Sequence, residues 1–323
     1  MDKVLIIQTA FLGDVILATP LIENIHQEFP HAQIDFLVKK GNESLLNGHP
    51  ILTKVYLFDK AQKRKSLSTL LSQIRKERYD LVLNLHRFSS SGLLTILSGA
   101  KETRGFSKNP FSFLYSKRFP HDLGNGTHEV DRNLSIMKDL VPDPMRRPQL
   151  YPHVADFQTT ANYKTTNYYC LAPASVWFTK QAPPAVWQYL IEKHDEENHV
   201  FYLLGGPDDE ELCASIQATS QRANVLNLAG KLSLMQSAAL MKDAKRNFVN
   251  DSGPLHLASA MNAPVTAFFC STVPAFGFGP LSDDSSVIEV NDLDCRPCGL
   301  HGHKACPKGH FQCGNGLVEA MNR

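Results

Sequence analysis

A chain of 323 residues and 36.0 kDa is about twice the usual size of one domain, which favours two domains or one large α/β unit. With 43% hydrophobic residues, 20% charged residues and a mean hydropathy of -0.22, the composition excludes a disordered chain, a collagen-like repeat and a disulfide-stapled miniprotein. The sequence has neither a run of the ~18–20 apolar residues that a membrane helix needs nor a cleavable signal pattern. We therefore expect a cytoplasmic protein.

The net charge of +1 hides an asymmetry between the two halves of the chain. Residues 1–150 contain 21 Lys and Arg against 15 Asp and Glu, a charge of +6, and the remainder contains 12 against 17, a charge of -5. The first half should attract anions, and an anionic substrate or a membrane headgroup would fit the set of basic residues, although a solvated helix face is the simpler interpretation of any one cluster. The basic residues lack interleaved aromatic platforms, so we expect no nucleic-acid partner.

Strands and helices alternate in the first part of the chain. The continuous apolar run Lys3–Gln8 is typical of a parallel strand buried on both faces, and the spacing of apolar residues predicts a helix over 15–29 that ends before Pro30. The same scheme continues with strands at 34–38, 55–58 and 79–85 and a helix at 66–78. Residues from about 104 to 165 are less regular.

A second alternation begins after the polar stretch 156–166, which we interpret as a linker. It predicts strands at 168–172, 200–204, 225–228, 247–250 and 265–269, separated by helices at 185–194, 209–218, 233–243 and 254–261. The sequence therefore predicts an α/β protein with two Rossmann-like domains, an N-terminal one over 1–160 and a C-terminal one over 161–323 that ends in a cysteine-rich tail. Ligands of such sheets bind beyond the carboxyl ends of the strands.

The turn after the first strand contains Gly13 and Asp14. A glycine lets the backbone approach a ligand closely, and a carboxylate at the mouth of the sheet could accept a proton from a bound hydroxyl. The alternative is that Asp14 only caps the helix that follows.

Two further turns carry charged side chains. Lys180 follows the first strand of the second domain, where an ammonium group would suit a phosphate leaving group, although a surface lysine is the simpler interpretation. Asp209 follows Gly205-Gly206-Pro207, where an acid could accept hydrogen bonds from ribose hydroxyls or could favour the next helix through its dipole.

The most specific turn is Asn250-Asp251-Ser252-Gly253-Pro254-Leu255-His256. A strand leads into small residues and Pro254 stands in the first helical turn, so the amides of the new helix would bind an anion such as a diphosphate. Asp251 could then bind sugar hydroxyls, while His256 is equally well explained as a packed helix residue.

Several of these segments together resemble glycosyltransferase family nine, which contains the ADP-heptose:lipopolysaccharide heptosyltransferases. The resemblance runs in order along nearly the whole chain. It is carried by Thr9-Ala-Phe-Leu-Gly-Asp14 with Ala18-Thr-Pro20, Tyr79-Asp-Leu-Val-Leu83, Arg104-Gly-Phe106, Gly205-Gly-Pro207, Asn227-Leu-Ala-Gly-Lys231 and Asn250-Asp-Ser-Gly-Pro-Leu-His-Leu-Ala258.

The resemblance implies a GT-B architecture, in which two Rossmann-like domains face each other across a cleft, and an inverting, metal-independent transfer without a cofactor. It assigns the role of general base to Asp14 and contact with the donor diphosphate to Lys180. Asp209 would bind the ribose, with Glu210 as an alternative, and Asp251 would contact the transferred sugar. The remaining members of the implied diphosphate pocket are Ser252, Gly253 and His256.

The expected function is transfer of heptose from ADP-heptose, the nucleotide-sugar donor, to an anionic lipopolysaccharide inner-core acceptor at the inner membrane surface. The enzyme would be cytoplasmic or peripheral on that membrane. Two alternatives stay open: a related transferase that uses another nucleotide-sugar for a different surface glycan, and a non-catalytic nucleotide-sugar-binding protein.

The tail contains Cys295-x2-Cys298-x7-Cys306-x6-Cys313 with three interleaved histidines. In a cytoplasmic protein such density favours a metal or reduced thiols over disulfides. Only one pair of cysteines has the tight spacing of a zinc ligand pair. A reduced structural loop is therefore the main interpretation of the tail, and structural zinc is the alternative. We assign no metal to the active site.

Overall fold

The computed structural model describes residues 1–195 and 199–322, which form two compact units. The N-terminal unit comprises Met1–Leu123 and Thr127–Tyr151, and the C-terminal unit comprises Gly124–Gly126 and Pro152–Arg323. The change from one unit to the other therefore lies at residues 151 and 152, a little before the boundary expected after residue 160.

The N-terminal unit is built on a parallel six-stranded sheet with the order β3-β2-β1-β4-β5-β6. Its strands are β1 (Lys3–Gln8), β2 (Gln33–Lys39), β3 (Leu52–Phe58), β4 (Leu81–Asn84), β5 (Glu102–Phe106) and β6 (Lys117–Phe119). Its helices are α1 (Leu12–Ile16), α2 (Pro20–Glu28), α3 (Lys63–Glu77), α4 (Ser89–Ile96) and α5 (Glu129–Ser135). The apolar side chains of β1 are buried on both faces because helices cover both sides of the sheet.

The C-terminal unit repeats this topology with a second parallel sheet, whose order is β12-β11-β10-β7-β8-β9. Its strands are β7 (Tyr168–Ala172), β8 (Val200–Leu203), β9 (Val225–Asn227), β10 (Arg246–Asn250), β11 (Val265–Phe269) and β12 (Ser285–Glu289). Its helices are α6 (Val154–Thr160), α7 (Pro184–Lys193), α8 (Glu210–Ser220), α9 (Leu234–Lys242), α10 (Gly253–Ala260), α11 (Gln312–Asn315) and α12 (Leu317–Ala320).

Both sheets have the strand order of a Rossmann fold, so the predicted α/β class with two Rossmann-like units is confirmed. In each unit the first strand lies between the second and the fourth, and the order along the sheet reverses there. Loops at this reversal leave the sheet on opposite sides and open a crevice at the carboxyl ends of the strands, which is where ligands of this fold bind.

Two local predictions are wrong for identifiable reasons. The single helix expected over 15–29 is two helices, because Pro20 has no amide hydrogen to continue α1 and instead occupies the first turn of α2. The polar stretch 156–166 is not a linker but completes α6 and a following single 3₁₀ turn. Lys164 at its end donates to the carbonyl of Ala239 at 2.8 Å, so contacts with α9 hold it in place.

Candidate active site

The loops at the two points of strand reversal carry most of the residues singled out by the sequence. In the N-terminal unit the short loop after β1 leads into α1, whose first turn contains Gly13 and Asp14. In the C-terminal unit the loop after β7 contains Lys180, and the loop after β10 contains Asp251.

Asp14 lies in the first turn of the short helix α1, with Gly13 immediately before it. The backbone amide of Phe11 donates to its Oδ2 at 3.1 Å, so Asp14 does close the start of the helix, as the capping interpretation expects. The contact uses one of the two carboxylate oxygens, and the side chain is only partly buried. Capping therefore leaves Asp14 able to meet a bound hydroxyl.

The surroundings of Asp14 raise its pKa to about 6. Burial is the largest cause, and the nearby negative charge of Glu129 adds to it, while the Phe11 amide and the Lys108 ammonium act in the opposite direction. A carboxylate with a pKa near 6 is still ionised at neutral pH and is a much better proton acceptor than an ordinary aspartate. These are the properties of a general base.

Sequence reasoning missed His86, which lies next to this loop. It stands two residues after the end of β4, and its Nδ1 is 2.8 Å from the hydroxyl of Thr9 in the loop after β1. Burial, together with the positive charges of Lys60 and Arg87, lowers the pKa of His86 to about 4, so the ring is neutral at physiological pH. The contact joins the two loops at the strand reversal. The rule that ligands bind beyond the carboxyl ends of adjacent strands could have identified His86 from the sequence.

In the C-terminal unit the structure brings together two predicted donor-site residues, Lys180 and Asp251. Lys180 Nζ lies 2.7 Å from Asp251 Oδ2, and both side chains are largely buried, with 16% and 7% of their surface exposed. The hydroxyl of Thr272, after β11, donates to the same carboxylate oxygen at 2.6 Å. Lys180 is thus not a solvated surface lysine but one member of a fixed, hydrogen-bonded ion pair.

The loop after β10 leads directly into α10, as the sequence predicts. Asn250 joins this loop to the one after β7, since its Nδ2 donates to the carbonyl of Pro173 at 2.7 Å and its Oδ1 accepts from the amide of Ala182 at 2.9 Å. Ser252 is the N-cap residue and Gly253 the first residue of α10. The amides of the first helical turn therefore follow Asp251 directly in the chain, and they could bind an anion.

His256 and Asp209 have local surroundings of their own. His256 is buried in α10, with its ring centroid 6.5 Å from that of Phe278. Asp209 lies after β8 and its Oδ2 accepts from the amide of Gly206 at 2.8 Å, which closes the turn before α8. Asp209 is partly exposed and Glu210 is exposed, so the ribose role expected for Asp209 and the alternative of Glu210 both stay predictions.

All seven cysteines carry free thiols. In the tail, Cys295 Sγ is 3.9 Å from His310 Nε2 and the Cys298 thiol donates to the carbonyl of Cys295. Burial alone would raise the pKa of the Cys306 thiol, but the backbone amides of residues 308–311 donate to it and lower its pKa below the usual value. Within 1–195 and 199–322, no three His, Cys, Asp or Glu side chains are arranged to hold a metal ion.

The profile of glycosyltransferase family 9 (heptosyltransferase) matches residues 67–308, which is most of the chain. The chain belongs to glycosyltransferase family 9. It is therefore a glycosyltransferase, and the resemblance seen in the sequence is confirmed.

Among its relatives, lipopolysaccharide heptosyltransferase 1 of Pseudomonas aeruginosa is 26% identical over 310 residues, with 92% of this chain and 86% of the relative covered. A family 9 glycosyl transferase from Veillonella parvula has a similar structure, with a TM-score of 0.81 at 22% identity over 90% of this chain and 86% of that one. The heptosyltransferase WaaC of E. coli with ADP has a TM-score of 0.76 at 20% identity over 99% of both chains. These similarities confirm the GT-B class of the two-unit fold.

Proposed function

We propose that this family 9 enzyme transfers heptose from ADP-heptose to a lipopolysaccharide inner-core acceptor, with inversion at the anomeric carbon. The observation that carries the proposal is the buried Lys180–Asp251 pair beside the first turn of α10, because it places a cation and helix amides where a diphosphate would bind. Its relative from P. aeruginosa is named a lipopolysaccharide heptosyltransferase, and the E. coli structure holds ADP, which supports adenine as the base.

In the proposed reaction, Asp14 takes the proton from the acceptor hydroxyl as that oxygen attacks the anomeric carbon. The bond from this carbon to the diphosphate oxygen breaks, and its electron pair leaves with the nucleoside diphosphate. Lys180 and the amides of Ser252 and Gly253 would stabilise the negative charge that develops on the leaving group. No step requires a metal or a cofactor.

The other donor contacts follow from the position of each residue. Asp251 would accept hydrogen bonds from hydroxyls of the transferred sugar through the oxygen that Lys180 and Thr272 leave available. Asp209, or Glu210 beside it, would bind the ribose. His256 would complete the diphosphate pocket from within α10.

The acceptor side of the reaction belongs to the N-terminal unit, whose excess of positive charge suits an anionic glycolipid. Three basic side chains, Lys60, Arg87 and Lys108, are close enough to Asp14 or His86 to shift their pKa values. No helix in 1–195 or 199–322 has the length and apolarity to cross a membrane. We infer that the enzyme reaches a membrane-bound acceptor as a peripheral protein.

Calorimetric titration with ADP, UDP and GDP tests the donor assignment. We expect selective binding of ADP, and we expect Lys180→Met to weaken it about tenfold or more because a charge-assisted contact with phosphate is lost. Lys193→Met serves as the matched control, since Lys193 is exposed in the last turn of α7 and belongs to none of the loops assigned to the donor. A preference for UDP or GDP would contradict the donor but keep the mechanism.

A non-catalytic binding protein is the competing function. It gives no reason for the raised pKa of Asp14 at the mouth of the N-terminal sheet. Incubation with ADP-heptose and a lipopolysaccharide core acceptor distinguishes the two, because only a transferase releases ADP in proportion to acceptor consumed. Binding of ADP without any such turnover would favour the non-catalytic function.

A further inference from the structure

The cysteine-rich tail, defined here as residues 290–313, lies against the loops that carry Lys180 and Thr272. The amide of Cys298 donates to the carbonyl of Ser271 at 3.0 Å, and the amide of Ser271 donates to the carbonyl of Thr179 at 3.1 Å. The tail, the loop after β11 and the loop after β7 are thus joined in series by backbone hydrogen bonds.

Arg296 makes the strongest set of contacts between the tail and the loop after β11. Its side chain is 6% exposed and donates to the carbonyls of Cys270 at 2.6 Å and Thr272 at 2.7 Å. It also donates to the carbonyl of Val290 and to the carboxylate of Glu289. A planar guanidinium with several donors fixes orientation as well as distance. The residue that it orients, Thr272, is the one whose hydroxyl holds Asp251.

The tail also contacts Thr179, the residue before Lys180. The amide of Thr179 donates to the carbonyl of His303 at 3.1 Å, and the amide of His303 donates to the hydroxyl of Thr179 at 2.8 Å. The ring of His303 is itself held, with Nε2 2.9 Å from the carbonyl of Cys298. Thr179 immediately precedes Lys180, so these bonds set the direction in which the lysine leaves the backbone.

Gly302 explains why the tail can come so close to the lysine. Its φ of +79° favours glycine, and a Cβ there would lie 2.9 Å from Lys180 Cγ and 3.1 Å from Trp177 Cβ. The aliphatic stem of Lys180 therefore lies directly over the backbone of the tail. A side chain at 302 would have to displace that stem and the ammonium group at its end.

We propose that the tail is a brace for the donor site, in which Arg296 and Gly302 are positioning residues that hold Thr272 and Lys180 on Asp251. The proposal rests on the proposed function, since it takes the Lys180–Asp251 pair as the diphosphate site. The tail would thus contribute to donor binding through residues other than its cysteines. The tail contacts Lys180 through Gly302, and it reaches Asp251 indirectly, through the bond of Arg296 to Thr272.

The test compares Gly302→Ala with Gly309→Ala. Gly309 is in the same tail and has a similar φ of +76°, but no atom lies within 4 Å of the position of its Cβ. Both variants place an alanine at a similar positive φ, and only at 302 does the new Cβ meet Lys180. We expect Gly302→Ala to raise the Kd for ADP and the KM for the donor about tenfold, because small misplacements of a binding group have large effects. Gly309→Ala should stay within about twofold of the wild type.

The KM for the acceptor and the thermal melting curve distinguish a misplaced Lys180 from a general loss of the folded enzyme. Gly302→Ala should leave the acceptor KM unchanged. The displaced Lys180 stem should lower its melting temperature below that of Gly309→Ala, but the variant should stay folded at the assay temperature. Arg296→Lys, which keeps the charge but loses the planar set of donors, should raise the donor KM less than Arg296→Ala. Equal donor affinity in Gly302→Ala and Gly309→Ala would overturn the brace.

A second measurement does not depend on the identity of the donor. Hydrogen exchange of the segment 177–181, followed by mass spectrometry, should be faster in Gly302→Ala than in Gly309→Ala, because the amide of Thr179 is bonded to the tail. If the wild type binds none of the three nucleotides, the proposed donor is wrong, and this exchange still decides the brace. Equal exchange in the two variants would contradict it.

Discussion

The two units share one topology and place their candidate site residues at the same point of it, yet the surroundings of the carboxylate differ between the two points. In the N-terminal unit the strand reversal presents one carboxylate, Asp14, whose pKa is raised to about 6. In the C-terminal unit it presents a carboxylate, Asp251, that is paired with Lys180 and bonded to Thr272. The fold provides the crevice, and the side chains around each carboxylate decide what it can do.

The difference would suit two demands of the proposed group transfer. A general base has to change its protonation state in each turnover, and partial burial beside Glu129 makes ionised Asp14 ready to take a proton. A site for a leaving diphosphate needs fixed charges that do not reorganise during the reaction. Lys180 is fixed by Asp251, by its own loop and by the tail.

The largest expected effect is that of Asp14→Asn, which removes the base but keeps the shape of the side chain. The rate of transfer should fall about 10²- to 10⁴-fold, as is usual when a general base is lost, while the Kd for ADP stays unchanged. Steady-state kinetics together with calorimetry measure both quantities. Similar losses of rate and of ADP binding would mean that Asp14 is structural.

The stability of Asp14→Asn tests whether Asp14 serves mainly as a general base or as a helix cap. The folded protein raises the pKa of Asp14 from 3.8 to about 6, so the ionised form is less favourable in the folded than in the unfolded chain. Removing the charge should therefore stabilise the protein at pH 7 to 8, by at most about 3 kcal/mol, which the partial exposure of Asp14 reduces. The gain should disappear below about pH 4, where both states bind the proton. A loss of stability at pH 7 would favour the cap.

The elements that sequence predicts well are those whose signal is local. The apolar runs at Lys3–Gln8 and Tyr168–Ala172 are strands with those bounds, because strands buried on both faces need no context. In contrast, β6 has only three residues, two of them exposed, and its pairing with β5 makes it a strand. Helix α4 begins with three serines, which are poor helix formers, and is held by buried contacts that the sequence does not display.

The same distinction applies to the candidate site. Asp14 and Asp251 could be found because each follows an obvious strand and precedes a helix. The contact of Lys180 with Asp251, and that of Thr272 with the same carboxylate, join loops far apart in the sequence, so only the fold shows them. No sequence pattern identifies Arg296 as a site residue, because the groups that it contacts are mostly backbone carbonyls, which any residue can supply.

A smaller effect is expected from Thr272→Val, which removes the hydroxyl that donates to Asp251 and keeps the shape of the side chain. The carboxylate then loses one buried hydrogen bond, so the free energy of unfolding should fall by about 1–3 kcal/mol and the KM for the donor should rise. Chemical denaturation and donor titration measure the two effects. Thr272→Ser is the control, because it keeps the hydroxyl that donates to Asp251 and should stay closer to the wild type than Thr272→Val. A valine variant with the stability and donor KM of the wild type would show that this hydrogen bond contributes nothing.

The smallest expected effect is a shift in pH dependence caused by Lys108→Met. Asp14 accepts a proton only when ionised, so kcat/KM should fall as the pH drops through about 6. The Lys108 ammonium favours the ionised carboxylate and lowers its pKa, and without that charge the midpoint of the acid limb should move to higher pH. Lys138→Met makes the same change of net charge at an exposed residue that does not act on Asp14, and its midpoint should match that of the wild type. A shift in both variants would reflect the net charge of the unit, and a shift in neither would remove Asp14 as the group that sets the acid limb.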